Sequence, residues 1–81
     1  MELMPIMQKW KAEAGIKGPI LYKTIPLKGG EYDERELIIT STRVGLLIGY
    51  HGKLVEKYKK IMMQLVPYIK KVSFEEAAYY L

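Results

Sequence analysis

The sequence predicts an α+β layer, a three-stranded sheet with helices packed on one face. Three observations predict it. Short β-forming runs lie at 20–25, 36–42 and 68–74, the first between Pro19 and Pro26 and the last just after Pro67. Apolar residues recur at helical spacing over 5–14 and again from 53 to about 66. The chain has 81 residues and no cysteine, which makes a single small domain, 1–81, without a disulfide to staple it.

Pro5 to Ala14 reads as a helix. Leu3, Met7, Trp10 and Ala14 share one face, with Gln8, Lys9 and Glu13 elsewhere on its surface. Pro5 is tolerated in a first turn, and Gly15 suits the stop. Gly18-Pro19 then breaks the chain. Ile20 to Ile25 is rich in β-formers and too short for a helix between breakers. Pro26 ends this strand early or sets it at a sheet edge. Gly29-Gly30 marks a turn, and the charged run from Glu31 to Glu36 reads as the solvated tip of a hairpin rather than an acidic site. Glu36 to Thr42 is the clearest strand and the antiparallel partner of the first.

Val44 to Ile48 is a short apolar helix, followed by Gly49-Tyr50-His51-Gly52. From Lys53 to about Val66 runs a strong helix. Leu54, Val55, Tyr58, Ile61, Met62 and Leu65 make one broad apolar face, and Lys53, Lys57, Lys60 and Gln64 lie on another. Pro67 ends it. Tyr68 to Phe74 reads as a third strand with Val72 and Phe74 on one side. Trp10 and Phe74 are expected in the core. Glu75 to Leu81 reads equally as a final helical turn or an extended tail, and Tyr79-Tyr80-Leu81 hints at protein docking. The order is α-β-β-α-α-β.

The net charge is +4, and it is unevenly placed. Residues 1–42 carry six charges of each sign, whereas residues 43–71 carry seven positive charges against the single Glu56. A basic stretch of this kind suits a polyanion, most often nucleic acid, although it also occurs on plain surfaces. Catalysis finds little support. There is no cysteine nucleophile, and the one histidine, His51, sits in a glycine turn. The expectation is a protein that is no enzyme and takes no metal, no cofactor and no small-molecule substrate. No apolar run approaches the ~20 residues that span a bilayer, so no membrane partner is expected. The start of the chain has neither a signal-peptide pattern nor an Arg-rich presequence.

The segment that carries chemistry is Leu47 to Val55. Glycine lets the backbone turn tightly and lets another backbone approach closely. The helix that opens after Gly52 presents free N–H groups and a partial positive charge, where a phosphate can sit. Lys53 and Lys57 add charge. This is the layout by which a GxxG loop clamps a short single-stranded RNA backbone.

From Leu37 to Lys60 the chain resembles the type-two KH domain, whose order is α-β-β-α-α-β. It resembles most closely the KH-bearing N-terminal domains of the third small-subunit ribosomal protein. Arg43, Gly45, Gly49, Gly52, Val55, Glu56 and Lys57 match that pattern in register; the first helix, the first strand and the last strand fit more loosely. The resemblance implies a type II KH-like fold that binds ribosomal RNA as a structural part of the small ribosomal subunit. RNA contacts are then expected from Arg43, Gly49, Tyr50, His51, Gly52, Lys53, Lys57 and Lys60. Two departures stand out. The loop pair, often basic in bacterial members, is Tyr50 and His51, which suits stacking on a base. The family's second domain has no counterpart in these residues. Together they resemble reduced mitochondrial versions, which implies a ribosomal location, mitochondrial before cytoplasmic, with neighbouring ribosomal proteins as partners. The alternatives are a free-standing single-stranded-RNA-binding regulator or chaperone, and a KH-fold protein-docking module that no longer binds RNA.

Overall fold

The computed structural model describes residues 3–78. Helix α1 (Leu3–Ala14) buries Ile6, Met7 and Trp10. Pro5 lies in its first described turn, where proline is tolerated. Gly15 ends it at φ 76°. The Gly15 N–H donates to the Ala12 carbonyl (3.1 Å) and the Ile16 N–H to that of Lys11 (3.2 Å). This is a Schellman stop, and it delivers Ile16 into the core.

Strands β1 (Leu21–Pro26) and β2 (Arg35–Ser41) pair antiparallel, with Tyr22 opposite Ile39 and Thr24 opposite Leu37. Pro26 is both the last residue of β1 and part of an edge strand. It sits where its lost N–H costs no ladder bond. The Arg35 guanidinium ties the hairpin, donating to the Thr24 carbonyl at 2.8 Å. The tip beyond it is solvated, and Tyr32 there is fully exposed.

Strand β3 (Ile69–Glu76) pairs with β2 in parallel, so the sheet order is β1-β2-β3. Parallel neighbours need a crossover, which helices α2 (Val44–Ile48) and α3 (Lys53–Leu65) supply. The fold is therefore α+β with a mixed three-stranded sheet. The third strand starts one residue later than the sequence suggests and runs two residues further. Glu75 and Glu76 are strand, because the end of β2 offers Thr40 and Ser41 as partners. The Ala77 N–H extends this ladder to the Ser41 carbonyl at 2.9 Å. Tyr79-Tyr80-Leu81 lie outside the described residues.

The apolar face of α3 also differs at one end. Val55, Tyr58 and Met62 are buried and Leu54 and Ile61 partly so, but Leu65 is exposed. Val66 takes the buried place, because the backbone leaves the helix there, at φ −135°. Leu37 and Ile39 of β2 join Trp10, Leu47, Tyr58, Met62 and Val66 in one core, with Val72 and Phe74 packed against it.

Candidate nucleic-acid interface

The loop between α2 and α3 is built from backbone conformations that few residues adopt. Gly49 has φ 78°, and its N–H donates to the Gly45 carbonyl at 3.0 Å, closing α2. A Cβ on Gly49 would lie 2.6 Å from the Leu54 Cβ and 3.0 Å from the Leu54 nitrogen. The start of α3 therefore rests directly on this glycine. Gly52 is also left-handed (φ 74°), but a Cβ there would meet open space. Its requirement is conformational, that of Gly49 both conformational and steric.

Between them, Tyr50 and His51 make a single tight turn. His51 is the one non-glycine residue with positive φ among those described, at 54°. Histidine is among the residues that tolerate this region. Both side chains are exposed, and the rings meet edge to face with centroids 4.0 Å apart. Two ring systems thus stand together at the surface, beside the first turn of α3. No side chain caps that turn.

The loop is held from behind by Trp10, which is wholly buried. Its indole Nε1 donates to the Leu47 carbonyl at 2.9 Å, tying α1 to the last turn of α2. Its ring stacks on Tyr58 of α3, at 5.1 Å and 4° between planes, and meets Phe74 of β3 edge-on at 6.0 Å. One side chain thus fixes both helices that flank the loop.

The lysines expected at the interface divide. Lys53 and Lys60 are exposed on α3, and Arg43 is exposed just before α2. Lys57 has an internal partner: its ammonium lies 2.8 Å from the Glu13 carboxylate of α1 and 5.5 Å from the Tyr58 ring centroid. Glu13 also accepts from the Tyr58 hydroxyl at 2.7 Å. The hydrogen bonds from Lys57 and Tyr58 lower the Glu13 carboxyl below its ordinary value. Burial, followed by the adjacent carboxylate, pushes the Tyr58 hydroxyl up to about 12. Sequence reading missed this triad. Glu13 and Lys57 lie in different helices, 44 residues apart, and no local spacing joins them.

The structure brings Gly49, Tyr50, His51, Gly52 and Lys53 together in one contiguous segment. Among the described residues no cluster of three or more His, Cys, Asp or Glu is placed to hold a metal ion. No described helix is long and apolar enough to cross a membrane. Comparison with family models, curated proteins and solved structures gives no match to this chain.

Proposed function

We propose that this chain is an RNA-binding module of the type-two KH kind, and that it acts without catalysis as a structural protein of the small ribosomal subunit. The observation that carries this reading is the loop itself. Gly49 lies so close to Leu54 that only a glycine fits, Gly52 is left-handed, and the two residues between them stand out in solvent. The order of elements agrees with what the resemblance implies.

In this reading an RNA phosphate meets the first turn of α3, where N–H groups and the helix dipole favour an anion. Tyr50 and His51 offer flat faces to the flanking bases, an interaction worth about 1–3 kcal/mol per stacked base. Lys53, Lys60 and Arg43 supply counter-charge. Lys57, being shared with Glu13, contributes less. A mitochondrial ribosome is the first setting to examine, given the drift of the loop from basic residues.

The test is sedimentation of native lysate at low and high magnesium, probed for this chain. Co-migration with the small subunit through a moderate salt wash is the expected result. A chain that stays at the top of the gradient removes the ribosomal setting. Binding of a short single-stranded RNA by the purified protein then separates a free regulator from a docking module.

A further inference from the structure

The outer edge of the sheet at β3 carries a pattern that the RNA reading does not use. Among the described residues β3 pairs only with β2, so its other edge has no strand beside it. Its sequence from Lys70 to Glu76 is Lys-Lys-Val-Ser-Phe-Glu-Glu. Two cations open it, two anions close it, and Ser73 is the midpoint. Lys70, Lys71, Glu75 and Glu76 are all exposed. The ion pair between Glu13 and Lys57 involves none of them.

We propose that β3 pairs antiparallel with β3 of a second copy of this chain, about a twofold axis at Ser73, joining the two sheets into one. In a twofold antiparallel pair the axis is perpendicular to the sheet, so it passes between two identical residues facing each other. Centring on Ser73 sets Lys71 opposite Glu75 of the second copy, and Val72 opposite its Phe74. Lys70 then faces Glu76 at the rim. Each pairing occurs twice by symmetry. Opposite charges and an aromatic with a β-branched residue are the favourable cross-strand neighbours.

The alternatives lose this match. The next symmetric registers centre on Val72 or Phe74. The first sets Lys71 opposite Ser73 and Lys70 opposite Phe74; the second sets Ser73 opposite Glu75 and Val72 opposite Glu76. A parallel pairing in register sets lysine against lysine and glutamate against glutamate. Edge strands are commonly guarded by charge, lysine above all. Here the parallel pairing repels, the registers centred on Val72 and Phe74 set no charge against its opposite, and the register centred on Ser73 matches both charge pairs.

Two structural details fit the pairing. The Leu37–Val72 and Ile39–Phe74 register puts Val72 and Phe74 on the core face and Lys71, Ser73 and Glu75 on the other, so the matched pairs share faces. The irregularity of β3 falls at Lys70, which the ladder to β2 skips, leaving Lys71 to Glu75 in regular register. A shallow hollow of about 170 Å³ lies between α3 and this strand, lined by Met62, Met63, Ile69 and Val72 among others. Met63 there is 70% exposed. This hollow gives a second copy apolar surface to cover beside the strand.

The test is the mass of the full chain in solution, by light scattering or sedimentation equilibrium over a dilution series. A species of twice the 9.4 kDa chain mass, dissociating on dilution and with added salt, is expected. Lys71→Glu weakens self-association by about tenfold or more, as does Glu75→Lys. The double variant Lys71→Glu with Glu75→Lys restores it, because the pair is only reversed. The decisive arm mixes two chains. Lys70→Glu/Lys71→Glu and Glu75→Lys/Glu76→Lys are each monomeric alone and form a heterodimer together, with circular dichroism confirming that both are folded. A wild-type chain that stays monomeric, or a dimer indifferent to these charges, overturns the proposal and leaves the edge as a guarded one.

Discussion

The junction around Trp10 and the loop at Gly49–Gly52 are joined by α2, yet they treat their polar groups in opposite ways. At the junction, each polar tip finds a partner within the chain: the Trp10 indole on the Leu47 carbonyl, and the Tyr58 hydroxyl and the Lys57 ammonium on Glu13. At the loop, Tyr50 and His51 are exposed and the first turn of α3 has no side-chain cap. The first region satisfies itself and holds two helices in place. The second is held in an uncommon conformation with its groups directed outward. The two regions thus differ less in charge than in what their neighbours leave unsatisfied. Lys57 shows this from the other side: it belongs to the basic stretch, but its charge is already engaged.

The largest expected effect breaks the junction. Trp10→Ala removes a fully buried ring, its stack on Tyr58 and its hydrogen bond, and costs about 3–5 kcal/mol. That is a large share of the stability of a small domain. Urea unfolding measures it, and RNA binding falls at least as far as the folded fraction does, because the helices flanking the loop lose their shared anchor. Next comes Gly49→Ala, in which a left-handed backbone and a clash with Leu54 together cost about 2–4 kcal/mol. Gly52→Ala has the same φ without the clash, and costs about 1–2 kcal/mol. Equal losses at the two glycines would mean that Leu54 does not rest on Gly49.

The triad adds a pH dependence with a defined sign. The Tyr58 pKa is raised in the folded chain, so its contribution to stability is complete below about 10 and is lost as pH rises toward about 12. Glu13 is lowered, so its contribution is present above its ordinary value of 4.5 and fades as pH falls below that. An ultraviolet titration therefore shows a tyrosine step as pH approaches about 12, that of Tyr58. Tyr58→Phe removes that step.

The smallest effects separate the lysines. Lys60→Glu lowers the salt slope of RNA binding by roughly one for each phosphate left without its counter-charge. Lys57→Ala changes that slope less and costs at most about 1 kcal/mol of stability, as an exposed pair does. Interchanged results would place Lys57, not Lys60, on the RNA.

Much of this architecture could be read from the chain. Strand β2 is legible because three aliphatics precede β-branched polar residues, and α3 because its apolar positions keep one period over twelve residues. The loop is legible because glycines flank two polar residues between apolar segments. What escaped reading depends on distant partners. The strand character of Glu75 and Glu76 is set by the free end of β2. The burial of Val66 in place of Leu65 follows from the backbone leaving the helix ahead of Pro67. The engagement of Lys57 depends on Glu13, brought near only when α1 packs on α3. Local pattern reports period and punctuation; it does not report which charge meets which.

The most direct test of the central claim is RNA affinity after the loop is made acidic. Tyr50→Asp with His51→Asp leaves the fold intact, since both side chains are exposed and aspartate tolerates the left-handed position of His51. Binding of a short single-stranded RNA, measured across a salt series, is expected to weaken about tenfold or more, with the thermal midpoint little changed. Unchanged affinity at every salt concentration would take the loop out of the mechanism and contradict the RNA-binding role.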